Sequence, residues 1–114
     1  MLKMIINQRE VVLLPYPFSD LEERKFRPAL VISNDFYNKK FEDCIMVPLT
    51  SVLKEEPFSI ILTQNDLAAG KLMKTSRIKV DKVFSVKKSL ISRKIGIINQ
   101  KIFEKVKEEF KKLV

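Results

Sequence analysis

Residues 28–50 read "PALVISNDFYNKKFEDCIMVPLT" and contain two apolar runs of strand length, 28–33 and 43–50. Both runs are apolar at successive positions and rich in β-branched residues, a pattern typical of strands that are covered on both faces. The polar segment between them, residues 34–40, favours a short helical turn. The stretch therefore predicts two buried strands of a small sheet.

Strand-like runs continue on both sides of this stretch. Residues 10–16 ("EVVLLPY") and 58–63 ("FSIILT") have the length and the apolar, β-branched content of strands. The segment 64–71 favours a turn or a single helical loop. Strands with two apolar faces favour a small barrel or a closed sheet that carries a helix.

Residues 74–86 show an alternating pattern instead. Ile78 and Val80 fall on one face, and the cations Arg77 and Lys79 fall on the other. Successive side chains of a strand point to opposite sides, so this segment predicts a half-exposed strand whose cations point outward.

Near the end of the chain, the spacing of the apolar residues changes from two positions to nearly four. Ile102, Val106 and Phe110 recur at four-residue steps, which marks an amphipathic helix. Asn99 is suited to cap its first turn, and the lysines near its end suit the negative pole of the helix dipole. The sequence therefore predicts a C-terminal α-helix on a mainly β protein.

The length of 114 residues and the 46% hydrophobic content fit one domain, residues 1–114, with a single core. The only cysteine, Cys44, excludes an intramolecular disulfide and suits a reducing compartment, so we expect a cytoplasmic protein. The N-terminal segment lacks the apolar core and cleavage site of a signal peptide. No segment approaches the roughly 18 continuous apolar residues of a membrane span, so we expect no membrane association.

The net charge of +8 is placed unevenly along the chain. Residues 1–70 carry 8 Lys/Arg and 10 Asp/Glu, whereas residues 71–114 carry 14 and 4, so the two parts have charges of −2 and +10. The stretch 71–94 contains 9 basic residues, opposed only by Asp81. A polyanion such as nucleic acid is the obvious partner of this segment, and a solvated Lys-rich face is the simpler alternative.

The absence of histidine excludes several classes of site. The chain cannot hold a His-based acid/base pair, a Cys/His zinc site, a Ser-His-Asp triad or a Cys-His dyad. With Gly70 and Gly96 as its only glycines, it has no Gly-rich phosphate loop. Five scattered aspartates leave carboxylate-metal chemistry open, although none forms a D-x-D pair: Asp20, Asp35, Asp43, Asp66 and Asp81. The composition therefore indicates no cofactor and leaves a bound metal ion open.

A basic residue stands directly ahead of the second predicted strand. Arg27 precedes Pro28, whose ring disfavours helical geometry in the residue before it. A long cation is therefore held at the mouth of a strand.

Three motifs in order carry a family resemblance. The stretch "VVLLPYPFSDLEERKFRPALVISND" (11–35), "IMVPLTS" (45–51) and "VDKVFSVKKSLISRKIG" (80–96) together resemble the MazF/PemK family of toxin ribonucleases from toxin-antitoxin modules. The chain departs from the common pattern at "QRE" (8–10), where many members carry Gly-Asp, and its loop 19–26 has no glycine.

The resemblance implies a fold, an activity and partners. Members of the family have a small SH3-like β-barrel (CcdB/MazF-like) with a C-terminal α-helix, and they form homodimers. They cleave single-stranded RNA without a metal and are inhibited by a cognate antitoxin, which we expect to be acidic. The function predicted here is therefore that of a metal-independent endoribonuclease toxin.

The resemblance also assigns site residues. The catalytic arginine of the family falls on Arg27 and the catalytic threonine on Thr50, followed by Ser51 as a phosphate contact. The acidic residue of the preceding loop corresponds best to Glu22, with Glu23 nearly as good a match. Arg27 could instead be a surface residue that pairs with one of these glutamates.

These residue types suit a reaction in which the ribose 2′-OH is the nucleophile. Arg27 supplies a guanidinium fork for the phosphate oxygens, and Thr50 supplies a hydroxyl donor for developing negative charge. Glu22 is a possible base by residue type. The outward cations Arg77 and Lys79 are predicted to contact RNA phosphates.

Two other classes of function remain open on the sequence. The same barrel could be a binding module without catalysis, either a CcdB-like toxin that poisons a protein or a protein that binds nucleic acid without cutting it. A metal-dependent nuclease that uses the scattered carboxylates is a third class.

Overall fold

The computed structural model describes residues 4–16 and 25–114. Within these residues the chain forms eight strands: β1 Glu10–Tyr16, β2 Lys25–Val31, β3 Asp43–Thr50, β4 Ser59–Leu62, β5 Leu67–Gly70, β6 Ser76–Lys79, β7 Phe84–Lys87 and β8 Arg93–Ile98. Two α-helices accompany them, α1 Asp35–Lys40 and α2 Gln100–Lys111, with short 3-10 turns at Gln64–Asp66 and Lys88–Leu90.

All the strand pairs are antiparallel, and the strand order is β4-β6-β3-β2-β1-β8-β5, with β7 also paired to β3. The long strand β3 joins the parts of the sheet. Its first half pairs with β7, its centre with β2, and its last two residues, Leu49 and Thr50, with β6. The sheet curls into a half-barrel, so the predicted mainly β fold with a C-terminal helix is confirmed.

Both faces of the sheet are buried, as the continuous apolar runs predict. On one face, here called the helix-side face, Val11, Leu30 and Val47 pack with residues of α2. The adjacent residues Val12 and Val31 belong to a second cluster on the other face, here called the outer face. The outer-face cluster also contains buried Ile6, Leu14, Ala29, Cys44, Met46 and Ile91. Successive residues of these strands are therefore buried on opposite sides.

Helix α2 covers one side of the sheet through its apolar stripe. The Asn99 side chain accepts a hydrogen bond from the backbone N–H of Ile102 at 2.9 Å, which confirms the predicted N-cap. Ile102, Phe103 and Val106 are buried against the strands. No helix in the described part of the chain is long and apolar enough to cross a membrane.

The predicted strand bounds agree for β1 and β3 and differ elsewhere. The strand predicted at 28–33 begins three residues earlier, at Lys25, and the strand predicted at 58–63 is shorter, at Ser59–Leu62. The segment 74–86 was predicted as one alternating strand, but it is divided between β6 and the start of β7 by a turn. The short helical turn predicted at 34–40 is α1, capped by Asn34.

Strands β5 and β8 were not predicted, because each takes its conformation from a partner. The four residues of β5 include two alanines and a glycine, which have low strand propensity. Strand β8 lies between β1 and β5 and pairs with both. Long-range pairing therefore fixes both strands, and β5 has no strand pattern in its own sequence.

The two glycines of the chain, Gly70 of β5 and Gly96 of β8, are paired across these two antiparallel strands. Gly70 has φ +96°, and a Cβ there would lie 2.3 Å from the Gly96 Cα and 2.3 Å from the Ile95 carbonyl oxygen. Both the backbone conformation and the close approach exclude a side chain at position 70.

We therefore expect Gly70→Ala to lower the free energy of unfolding by about 1–3 kcal/mol, the usual cost of a strained residue. Thermal or denaturant melting measures this loss. Lys71→Ala is the control, because Lys71 is exposed and adjacent and its replacement should change stability by less than about 0.5 kcal/mol. If Gly70→Ala melts at the same temperature as the parent, the close approach of Gly70 to Gly96 does not exclude a side chain at position 70.

Candidate active site

Arg27 lies on β2, on the outer face of the sheet. It pairs with Leu14 of β1 and stands two residues before Ala29, a member of the outer-face cluster. Since side chains two apart in a strand share a face, Arg27 continues that face beyond its apolar part. Its side chain is exposed.

Thr50 is the last residue of β3 and lies on the same face. It stands four residues after Met46 of the outer-face cluster, so the strand alternation places both on one side. The Thr50 Oγ1 accepts a hydrogen bond from the Val52 backbone N–H at 3.2 Å. The hydroxyl hydrogen is not used in this contact, so Thr50 keeps a donor to offer.

The strand register relates Arg27 to Thr50. The β2–β3 ladder pairs Leu30 with Val47 and Ala29 with Pro48. Continuing that register by two positions sets Arg27 opposite Thr50, beyond the last paired residues. The two residues that the family resemblance selects are thus on neighbouring strands, on one face and at one level.

Arg77 of β6 extends this level to a third strand. It pairs directly with Thr50, and its neighbour Ile78 pairs with Leu49 on the helix-side face. The half-buried Arg77 guanidinium donates from Nε to the Leu53 carbonyl oxygen at 3.3 Å and from Nη1 to Ser59 Oγ at 3.1 Å. Arg27, Thr50 and Arg77 form what we call the polar row.

Lys79 lies two residues beyond Arg77 and shares its face. Its ammonium group forms an ion pair with Glu56, in which the Lys79 side chain is 18% exposed and the Glu56 side chain 41%. The hydrogen bond from Lys79 and its charge lower the pKa of the Glu56 carboxyl, which is therefore ionised at neutral pH.

The predicted alternation of β6 is correct, but the cations are not simply free and outward. Ser76 and Ile78 are buried, whereas Arg77 and Lys79 are half-buried and donate to groups of the same molecule. Their partners lie in or next to the loop between β3 and β4. These contacts could not be predicted from the sequence, because nothing in the acidic segment 54–57 ("KEEP") indicates which strand it contacts.

Of the remaining predicted site residues, the structure describes Ser51 but not the two glutamates. Ser51 is exposed and follows Thr50 at the end of β3, which leaves it beside the polar row. Glu22 and Glu23 lie outside the described residues, as does most of the "PYPFSD" motif.

A bound metal ion and a cysteine nucleophile are two other possible bases for catalysis. In residues 4–16 and 25–114, no three His, Cys, Asp or Glu side chains are grouped in a way that could hold a metal ion. Cys44 is fully buried in the outer-face cluster, and burial raises the pKa of its thiol. A buried protonated thiol is a poor nucleophile.

Comparison with known proteins gives a family and a fold. A family described as "PemK-like, MazF-like toxin of type II toxin-antitoxin system" matches residues 7–114. No curated protein matches the sequence significantly.

Several solved structures share the fold. A MazE-MazF structure from Deinococcus radiodurans (Form-II) has TM-score 0.77 and 22% identity, covering 97% of this chain and 96% of that one. An endoribonuclease in complex with its cognate antitoxin from Mycobacterial species has TM-score 0.75 and 18% identity, covering 94% and 92%. A further endoribonuclease from Mycobacterial species has TM-score 0.77 and 15% identity, covering 98% and 93%.

Proposed function

Because this chain belongs to the PemK-like, MazF-like family of toxins of type II toxin-antitoxin systems, we propose that it is an endoribonuclease that cleaves single-stranded RNA. The observation that carries the proposal is the polar row, which sets a guanidinium and a hydroxyl donor on adjacent strands. The names of the structural neighbours, which include endoribonucleases, agree with this activity.

The proposed reaction needs neither a metal nor a nucleophilic side chain. The ribose 2′-OH loses its proton and attacks the adjacent phosphorus, and the bond to the 5′ oxygen breaks as that oxygen takes up a proton. The products are a 2′,3′-cyclic phosphate and a 5′-hydroxyl. The protein has to hold the phosphate and stabilise the charge that develops on its oxygens.

Each residue of the site has a role in this scheme. Arg27 offers two parallel N–H donors to the phosphate oxygens, and Thr50 offers its remaining hydroxyl hydrogen. We propose that Ser51, which follows Thr50 at the end of β3, contacts a neighbouring phosphate. Glu22 is proposed as the base by residue type and its match to the family motif. A guanidinium keeps its proton throughout the pH range in which proteins are folded and is therefore a poor proton shuttle, so we assign Arg27 to charge stabilisation.

We propose that Arg77 and Lys79 bind the RNA backbone beside the cleaved bond. Both lie on the face that carries Arg27 and Thr50, and the segment 71–94 around them holds 9 basic residues. Phosphate contacts of this kind release counterions and make the affinity depend on salt.

The salt dependence provides a measurable prediction. The logarithm of RNA affinity should fall linearly with the logarithm of salt concentration, by about 0.7 per phosphate neutralised on a single strand. Replacing Arg77 and Lys79 together by Ala should flatten this slope, while a melting curve reports whether the domain stays folded. A slope equal to that of the parent would mean that these cations serve solubility or the antitoxin instead of RNA.

Three further proposals follow from the family. The partner that inhibits the protein is an acidic cognate antitoxin, which suits the net charge of +8. The neighbours include complexes with an antitoxin. The working form is a homodimer, and its place of action is the cytoplasm, where RNA is available.

Two alternatives are separated by one assay. The purified protein is incubated with a long single-stranded RNA, with and without EDTA. A metal-independent ribonuclease cuts in both conditions, a metal-dependent nuclease cuts only without EDTA, and a CcdB-like or other non-catalytic binding module cuts in neither. Loss of cutting in EDTA would refute the proposed chemistry.

A further inference from the structure

The loop between β3 and β4, residues 51–58, is held against β6 by interactions with two cations of that strand. Arg77 donates to the Leu53 carbonyl at 3.3 Å, and Lys79 pairs with the Glu56 carboxylate. Ser59, at the start of β4, accepts from Arg77 at 3.1 Å and donates to the Glu56 carbonyl at 2.6 Å. The two cations proposed to bind RNA thus already have acceptors from one loop.

The two fastenings differ in strength and in kind. Arg77 is held by the backbone carbonyl of Leu53 in the loop and by the hydroxyl of Ser59 in β4. Lys79 is held by the end of a long side chain, Glu56, which is 41% exposed, whereas the Lys79 side chain is 18% exposed. Because water reaches the Glu56 carboxylate, this partner of the pair contributes little net stability. The Glu56 contact is therefore the one that another anion can replace.

A phosphate is such an anion, and the site is placed to receive one. The Glu56 carboxylate and a backbone phosphate of RNA both offer anionic oxygen acceptors to an ammonium group. Lys79 shares the face of Arg77, which pairs directly with Thr50. RNA that places its reactive phosphate at Thr50 can bring a neighbouring phosphate toward the position that the Glu56 carboxylate occupies.

We propose that Glu56 is an internal competitor of RNA, whose carboxylate holds Lys79 until a backbone phosphate of single-stranded RNA displaces it. This inference rests on the proposed function of the polar row. Displacement releases the Glu56 side chain, whereas the loop backbone stays attached to Arg77 through the Leu53 carbonyl and to Ser59 through the Glu56 carbonyl.

The last residue of the loop has a strained backbone conformation, which a hydrogen bond next to β6 holds. Phe58 has φ +57°, a left-handed conformation that is unfavourable for a residue with a bulky side chain. Its carbonyl accepts from the Val80 backbone N–H at 3.0 Å, so a contact with the residue after Lys79 helps to hold this conformation. The lowered pKa of Glu56 means that the competitor is charged at neutral pH.

Glu56→Gln tests the proposal, since it keeps the size of the side chain and removes its charge. Binding is measured by fluorescence anisotropy with a 2′-O-methyl single-stranded RNA, which lacks the free 2′-OH that the proposed reaction requires. We expect Glu56→Gln to bind about two- to fivefold more tightly than the parent, the range of an exposed ion pair. The gain should be largest at low salt, where exposed charges are least screened.

Two variants separate this effect from a general change in charge. Glu55→Gln removes the same charge from the adjacent exposed position and should tighten binding less than Glu56→Gln does. On a Lys79→Ala background, Glu56→Gln should have no further effect, because no cation remains to be released. Melting curves for the parent and the four variants (Glu56→Gln, Glu55→Gln, Lys79→Ala and the double variant) show whether each is folded.

The outcomes distinguish this inference from the proposed function. If the parent protein binds and cuts RNA but Glu56→Gln binds no more tightly than Glu55→Gln, Glu56 is only a support for the loop and the inference is wrong. If Glu56→Gln tightens binding equally with and without Lys79, the effect is long-range charge and the inference is also wrong. If the parent neither binds nor cuts RNA, the proposed function and this inference both fail.

Discussion

Arg27→Ala and Thr50→Ala are each expected to lower the single-turnover rate of RNA cleavage by about two to three orders of magnitude, the usual effect of removing one transition-state donor. Arg27 is exposed and Thr50 lies half-buried at a strand end, so neither truncation opens a large cavity in the core. Thermal stability should therefore stay close to that of the parent. The loss should fall on the chemical step.

Binding distinguishes the two residues. Arg27→Ala should weaken RNA binding modestly, because one phosphate contact is lost, and Thr50→Ala should hardly change it. Arg27→Lys should restore binding better than cleavage, since an ammonium keeps the charge without the bidentate fork. Lys101→Ala is the control, because Lys101 is an exposed cation on α2, outside both the polar row and the basic segment 71–94. If either Ala variant cuts RNA at the parent rate, or loses activity only in proportion to unfolding, the assigned role is wrong.

A single 2′-deoxy or 2′-O-methyl nucleotide at the cut site is expected to abolish cleavage there. The proposed reaction uses the 2′-OH as its only nucleophile, and neither substitution leaves a hydroxyl that can attack. Gel analysis of an end-labelled RNA measures the loss, and the same substitution at a position that is not cut serves as the control. Cutting of the 2′-deoxy substrate at the normal rate would show that the nucleophile comes from elsewhere.

The sequence predicted the buried strands well, because their signal is local. Strands β1 and β3 are apolar on both faces. Strand β3 pairs with three strands, and it is apolar on both faces because both are buried. Helix α2 was predicted from its period and its Asn99 cap. Strand β5 has no comparable signal, and the isoleucines of β8 are interrupted by Gly96, so its strand pattern was missed.

The candidate site was predicted in part. The family motifs select Arg27 and Thr50, and the strand register provides the reason that they belong together. The alternation of β6 correctly placed Arg77 and Lys79 on one face. It could not indicate that Glu56 pairs with Lys79, because the two residues are 23 positions apart and meet only when β4 pairs with β6.

The chemical ends of the RNA fragments distinguish attack by the 2′-OH from hydrolysis by a metal-activated water. The purified protein is incubated with a single-stranded RNA in EDTA, and the ends of the fragments are identified by mass spectrometry. Cleavage is expected under these conditions, with 2′,3′-cyclic phosphate and 5′-hydroxyl ends. Intact RNA in EDTA, or fragments with 5′-phosphate and 3′-hydroxyl ends, would show that the protein does not cleave RNA through the 2′-OH without a metal.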